Sequence, residues 1–148
     1  APAAPAESSP VTCEACGKAS VKPKTVLFGS NLPAEFFERK REDLGGADLL
    51  IVAGTSLVVG PANTIASDVP AATVRLVVNR EPVGEHLGLA YGGDPATARD
   101  LFAPGDCDAT FLRLADLLGW RADMEAFKEV LPEAGQVLLG SAPPAAEL

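Results

Sequence analysis

The chain has 148 residues, the length of a single domain, and 47% of them are hydrophobic, which is enough to build a core. Its formal net charge of -8 argues against a nucleic-acid-binding surface and is compatible with a basic partner. No apolar run approaches the roughly 18 residues of a membrane span, and the opening stretch lacks the basic and apolar regions of a signal peptide.

Strands and helices are predicted in alternation between two tails of simple composition. Residues 1–10 and 132–148 are rich in Ala and Pro, and such segments bury too little surface to offset their ordering entropy, so we expect both to be flexible. The predicted elements, in chain order, are a strand at 25–28, a helix at 32–44, a strand at 47–54, a short helix at 61–69, a strand at 74–79, and helices at 108–120 and 122–131.

The middle strands and the helix after them carry the clearest patterns. "ADLLIVAG" (47–54) is a continuous apolar run bounded by glycines, which is typical of a strand covered on both faces, and "VRLVVN" (74–79) predicts a second buried strand. Residues 108–120 predict a helix with Asp108 as its N-cap, one apolar stripe, and Gly119 as its stop.

This alternation predicts βαβ units and a parallel sheet, so the fold class is α/β. Only three strands can be counted, and an open parallel sheet of that size leaves its edge strands without neighbours. We therefore expect the carboxyl half of a doubly wound, Rossmann-like parallel sheet.

Two neighbouring strand ends carry residues suited to a nucleotide. Ligands of open α/β sheets bind where the strands end at their carboxyl edge. Gly54 there lets a ligand approach the backbone, and the hydroxyls of Thr55 and Ser56 suit phosphate or ribose oxygens. Asn79 and Glu81 follow the next strand and can hydrogen-bond ribose hydroxyls or an adenine edge.

The same residues have a purely structural interpretation. Thr55 and Ser56 can cap the following helix, and Asn79 can begin a turn. The nucleotide hypothesis is the stronger of the two because both strand ends would share one crevice.

Five segments in the same order resemble the sirtuins, the NAD-dependent protein-lysine deacylases. They are "CEACG", "VKPKTVLFGSNLP", "GADLLIVAGTSLVVGPA", "LVVNRE" and "GDCDATFLRLADLLGW", which together run from Cys13 to Trp120. The tail that follows is most similar to the nuclear and cytosolic sirtuins that remove acetyl groups. The resemblance covers the carboxyl-terminal half of the sirtuin catalytic domain.

The resemblance implies roles for individual residues. An acyl-lysine peptide would lie by β-augmentation along the predicted strand at 25–28. Lys24 and Ser30 stand where the family usually has Asp and Glu, which puts a preference for basic peptides in doubt. The implied NAD-binding residues are Gly54, Thr55, Ser56, Asn79, Arg80, Glu81, Cys107 and Asp108, and the implied substrate-binding residues are Val26, Phe28 and Gly29.

The first two cysteines resemble half of the sirtuin zinc module. Cys13 and Cys16 have zinc-ligand spacing, but tetrahedral zinc needs four ligands, and little in the surroundings of Cys107 or His86 favours either as a third. The family's histidine base precedes this cysteine pair, whereas His86 follows it in a glycine-rich connection that we interpret as a surface loop, so no catalytic residue is assigned. Three cysteines do not make a disulfide framework, so the expected compartment is reducing, the cytoplasm or nucleus.

The expected organisation is a zinc-module remnant at 11–22 followed by a Rossmann-like half at 23–131. The implied function is NAD-dependent deacetylation of protein lysine, with NAD and zinc as cofactors and an acylated-lysine protein, such as a histone or another basic protein, as substrate. Direct binding of nucleic acid or membrane is not expected. The alternatives are a non-catalytic sirtuin fragment and an unrelated nucleotide-binding or partner-binding module.

Overall fold

The computed structural model describes residues 10–21, 25–27 and 29–141. The chain divides into two units, residues 1–37 and 38–148. In the part of the chain that is described, no helix has the length and apolar character needed to cross a membrane.

The first unit contains a small cysteine-bearing turn. Val11 and Val21 form an isolated antiparallel bridge, and between them the Cys13 N–H donates to Lys18 O at 2.8 Å while the Gly17 N–H donates to Cys13 O at 2.8 Å. Gly17 has a φ of +68°, the left-handed conformation that closes such a turn most readily in glycine.

The strand predicted at 25–28 is not found in the described residues. Residues 25–27 form no ladder, and Phe28 lies outside the described part of the chain. A β-rich run of this length becomes a strand only where a neighbour supplies backbone hydrogen bonds, and residues 25–27 pair with no strand among the described residues. The prediction is therefore wrong for these three positions.

The second unit is an α/β assembly whose elements follow the predicted alternation. The strands at 47–54 and 74–79 are confirmed, each within a few residues of its predicted bounds. The helix α1 (Ala34–Leu44) begins in the first unit and ends in the second. The remaining elements are β1 (Leu49–Ala53), α2 (Ile65–Asp68), β2 (Val74–Asn79), β3 (Asp100–Pro104), α3 (Cys107–Leu117), α4 (Arg121–Glu125) and α5 (Glu133–Gly140), with short 3-10 turns at Ala62–Thr64, Glu85–Leu87 and Lys128–Val130.

The described residues form one parallel sheet in the order β1-β2-β3. Parallel pairing confirms the α/β class, but the third strand is β3 and not the segment at 25–28. The sequence hides β3 because a short strand that begins with Asp100 and ends with Pro104 has no long apolar run.

One face of the sheet carries the core. Val77 is fully buried at its centre, packed with Leu57 and Leu89 from the connecting segments. The sequence predicts that β1 is covered on both faces. This prediction is wrong for the described residues, because Leu49 is 51% and Ile51 is 39% exposed on the face of β1 that is opposite the core.

The segment predicted as a flexible tail at 132–148 contains the helix α5. Leu139 is buried, and Arg121 donates to the carbonyl oxygens of Leu139 and Ser141 while pairing with Asp116 at 2.9 Å. A cation that satisfies the last carbonyls of a helix stabilises its end, and the composition of the tail gave no sign of this long-range contact.

A buried ion pair joins β2 to β3. The guanidinium of Arg75 binds the carboxylate of Asp100 through two hydrogen bonds, at 2.5 and 2.7 Å, and both side chains are almost fully buried. Arg75 also donates to Ala66 O at 2.8 Å and to Gly88 O at 2.9 Å, and Asp100 accepts from the Ala90 N–H at 2.8 Å. The charged groups are therefore paired and hydrogen-bonded, as burial requires.

We predict that Asp100→Asn destabilises the fold by about 3 kcal/mol, because it leaves the Arg75 charge buried without its counter-ion. Urea unfolding followed by circular dichroism measures the loss. The matched control is Asp123→Asn on the exposed surface of α4, which should cost less than about 1 kcal/mol. Equal losses in the two variants would contradict the role assigned to the pair.

The same pair should give the fold an acid-sensitive stability. Burial raises the pKa of Asp100, but hydrogen bonds from Arg75 and Ala90 outweigh it, and the pKa lies below its ordinary value of 3.8. A lowered folded pKa means that the stabilisation is present above pH 3.8 and is lost as the pH falls through the folded pKa. We expect the stability difference between the native chain and Asp100→Asn to shrink below that pH; a constant difference would contradict the linkage.

Candidate functional site

A cavity of about 620 Å³ lies at the carboxyl ends of the three strands. Its walls come from the strand ends, from the first turn of α3 and from α5. The lining residues are Gly54, Asn79, Arg80, Gly105, Asp106, Cys107, Asp108, Ala109, Ala134 and Leu138.

Glycines end two of the strands at this edge. The Gly54 N–H continues the ladder by donating to Val78 O at 3.1 Å, and the Gly105 N–H donates to Asn79 O at 3.0 Å. Both glycines have positive φ, +60° and +132°, so the chain turns away from the sheet directly after each bond. A Cβ on Gly54 would lie 3.4 Å from the sulfur of Cys107, so the absent side chain also leaves space in the cavity.

Asn79 lies on the cavity wall, whereas Thr55 belongs to the loop after β1. The Asn79 Nδ2 donates to Thr55 O at 3.3 Å, and the Leu57 N–H donates to Thr55 Oγ1 at 3.2 Å. The Thr55 hydroxyl therefore stabilises its own loop and does not cap the following helix, whose N-cap is Pro61. Ser56 is exposed beside it, and neither hydroxyl residue lines the cavity.

An ion pair crosses the rim of the cavity. The Arg80 Nε donates to Asp106 Oδ1 at 2.6 Å, and this hydrogen bond raises the pKa of Arg80 above its ordinary value. Asp106 is the N-cap residue of α3, two residues before the predicted cap Asp108, which instead lies in the first turn of the helix. A helix N-terminus with its free N–H groups thus faces the cavity.

Cys107 is the first residue of α3 and is half-buried. Its sulfur lies 3.7 Å from Val78 O. Five of the eight residues predicted to bind a cofactor line one cavity: Gly54, Asn79, Arg80, Cys107 and Asp108. Thr55, Ser56 and Glu81 lie on the adjoining loops and do not line it.

Sequence reasoning missed two parts of the wall. Gly105 and Asp106 directly precede Cys107, so the glycine-acid pair was the signal that could have identified them. Ala134 and Leu138 come from α5, and no local pattern pointed to them because the helix reaches the cavity only through tertiary packing.

The predicted zinc and peptide residues lie in the first unit. Backbone hydrogen bonds from Cys16 and Ala15, with the Cys16 side chain as a further donor, lower the pKa of Cys13. Among the described residues no three His, Cys, Asp or Glu side chains come together as a metal site. Val26 is partly exposed and Gly29 has a φ of +85°.

His86 lies in the 3-10 turn Glu85–Leu87 and is exposed, as the sequence predicted for a surface connection. Its Nε2 is 3.2 Å from Leu57 O. This contact fixes the ring against the loop after β1, and His86 is not among the residues that line the cavity.

The parallel sheet and the cavity at its carboxyl edge are those of a Rossmann-like α/β protein. The Sir2 family model matches residues 2–61. The chain is 38% identical over 122 residues to the NAD-dependent protein deacetylase sirtuin-2 of Danio rerio, covering 76% of this chain and 32% of that protein. The chain is thus similar to the Sir2 family, by the family model at residues 2–61 and by this relative over about three quarters of its length.

Two fungal relatives are also named NAD-dependent protein deacetylases and show a similar degree of identity. The NAD-dependent protein deacetylase hst2 of Schizosaccharomyces pombe is 36% identical over 113 residues, covering 76% of this chain and 31% of the relative. The NAD-dependent protein deacetylase hst2-2 of Emericella nidulans is 42% identical over 106 residues, covering 72% and 28%. The chain thus spans about a third of the length of these curated relatives.

We predict that Gly54→Ala weakens NAD binding by about tenfold, because the added methyl enters the cavity 3.4 Å from the Cys107 sulfur. Gly119→Ala is the matched control, because Gly119 also has positive φ but a Cβ there meets nothing within 4 Å. Both variants should lose about 1 kcal/mol of stability from the left-handed backbone.

The two variants are compared by thermal unfolding and by titration with NAD, followed by NMR because NMR detects weak binding. Loss of affinity in Gly54→Ala alone is the expected result. Equal loss of affinity in both variants would trace the effect to stability and would contradict the close approach of ligand to Gly54.

Proposed function

We propose that this chain forms the NAD-binding carboxyl half of a protein-lysine deacetylase. The observation that carries the proposal is the single cavity in which Gly54, Asn79 and Cys107 meet at the carboxyl edge of a parallel sheet. Three relatives that share 36 to 42% identity with the chain are named NAD-dependent protein deacetylases.

The lining residues fit a nucleotide. A cavity of about 620 Å³ is within the usual range for small-molecule sites, and it combines backbone N–H groups, an amide, a guanidinium and apolar walls. The α3 N-terminus favours negatively charged oxygens. When NAD is bound, it supplies the ribose carbon that receives the acetyl oxygen as nicotinamide leaves.

The residues of this chain hold the nucleotide in place. Gly54 allows close approach of the ligand to the end of β1, and Thr55 and Ser56 form the loop that follows it. The amide of Asn79 and the carboxylate of Glu81 hydrogen-bond the hydroxyls of the adenosine ribose. The backbone around Cys107 and Asp108 contacts the adenine.

The peptide substrate and the zinc belong to the first unit in this proposal. Val26, Phe28 and Gly29 contact the acetyl-lysine and the peptide backbone on either side of it. A basic protein such as a histone is the proposed substrate, and the net charge of -8 supports attraction to a basic partner. Cys13 and Cys16 supply two thiolates of a four-ligand zinc site, and the cytoplasm or the nucleus is the proposed compartment.

The test uses a chimera in which this chain replaces the matching segment of the Danio rerio relative, because the chain spans 32% of that protein. We predict that Asn79→Ala in the chimera raises the Michaelis constant for NAD about fivefold, since one hydrogen bond to a ligand contributes about 1 kcal/mol. Its own bond to Thr55 O is 3.3 Å and exposed, so the melting temperature should change little.

Asn63→Ala is the matched control, because the Asn63 amide donates to Leu57 O at 3.2 Å away from the cavity. It should lower the melting temperature without changing the constant for NAD. If Asn79→Ala lowers only the melting temperature, Asn79 is a turn residue. If the chimera binds NAD but does not deacetylate an acetyl-lysine peptide, the chain is a non-catalytic nucleotide-binding module.

A further inference from the structure

The arginine at the cavity rim is already neutralised by a neighbouring carboxylate. Arg80 follows β2, and Asp106 precedes α3, so the two residues come from separate strand ends. Their ion pair has an Nε to Oδ1 distance of 2.6 Å, and the side chains are 81% and 64% exposed.

Stability does not account for this pair. Ion pairs between exposed side chains contribute little to folding because water screens both charges. Asp106 also occupies the N-cap position of α3, where aspartate normally accepts a backbone N–H, yet its side chain makes no capping hydrogen bond. The carboxylate is used for Arg80 and not for the helix.

The chemistry of adenosine recognition suggests a function for the Arg80–Asp106 ion pair. In dinucleotide-binding folds a carboxylate accepts a hydrogen bond from a free ribose 2′-hydroxyl, whereas an arginine nearby accommodates a 2′-phosphate. The segment after β2 offers both residue types, Arg80 and Glu81. What decides between the two ligands is whether the guanidinium of Arg80 is available.

We propose that Asp106 is a specificity-determining residue that makes the cavity take adenosine with a free 2′-hydroxyl and reject its 2′-phosphate. The inference rests on the proposed function. A 2′-phosphate needs Arg80, which would have to leave Asp106, and the phosphate would then face the unpaired carboxylate of Asp106 at the cavity rim. A site can reject a wrong ligand by placing a group of the same charge against it.

The experiment compares NAD with NADP, which differ by this one phosphate. Each is titrated by calorimetry into the chimera described above and its variants, and the ratio of the two dissociation constants is the readout. Asp106→Asn should lower the ratio of the NADP constant to the NAD constant by about tenfold, because it frees Arg80 for the phosphate. Asparagine is as good an N-cap as aspartate, so the variant should remain folded.

Asp108→Asn is the matched control, because it removes the same charge from the same wall and leaves the ion pair intact. It should change the ratio much less than Asp106→Asn. The double variant Arg80→Ala with Asp106→Asn should lose the gain in NADP binding, since the phosphate then has no guanidinium.

The possible outcomes distinguish failure of the inference from failure of the proposed function. Equal shifts in Asp106→Asn and Asp108→Asn would show that net charge alone sets the selectivity and would overturn the inference. A double variant that keeps the gain in NADP binding would also overturn the inference. A chimera that binds NAD with an unchanged ratio in every variant would overturn the inference and leave the function standing, whereas a chimera that binds neither nucleotide would overturn both.

Discussion

The arrangement of the second unit depends on one buried cation. Arg75 lies in the central strand, and its guanidinium reaches β3, Ala66 in α2 and the segment at Gly88 through hydrogen bonds of 2.5 to 2.9 Å. An unpaired buried charge costs several kcal/mol, so each of these acceptors must keep its place for the charge to stay buried. The backbone at Ala66 and Gly88, outside the sheet, is thereby tied to the central strand.

The same interaction sets the geometry of the cavity at the other end of the strands. Pairing Arg75 with Asp100 fixes the register of β2 against β3, and that register places Asn79 beside Pro104. The residues that follow, Arg80 and Asp106, then lie close enough for a 2.6 Å hydrogen bond. A buried contact at the start of the two strands therefore positions the exposed groups beyond their ends.

The elements that the sequence predicts are those with a clear local pattern of residues. β1 and β2 are apolar runs, and the glycine and amide at their ends indicated the site before any geometry was known. β3 was not predictable in this way, because Asp100 is buried only through Arg75, 25 residues earlier in the chain. The wall formed by α5 was missed for the same reason, since its end is held by Arg121, 18 residues away from Leu139.

The two ion pairs divide stability from selectivity between them. Removing one partner of a buried pair costs about 3 to 5 kcal/mol, which is a large share of the roughly 5 to 15 kcal/mol that keeps a domain folded. An exposed pair contributes little to folding because water screens both charges, so the Arg80–Asp106 pair can be altered without unfolding the chain. Because a ligand in the cavity meets only the exposed pair, changes in specificity can arise there while the buried pair keeps the strand ends in register.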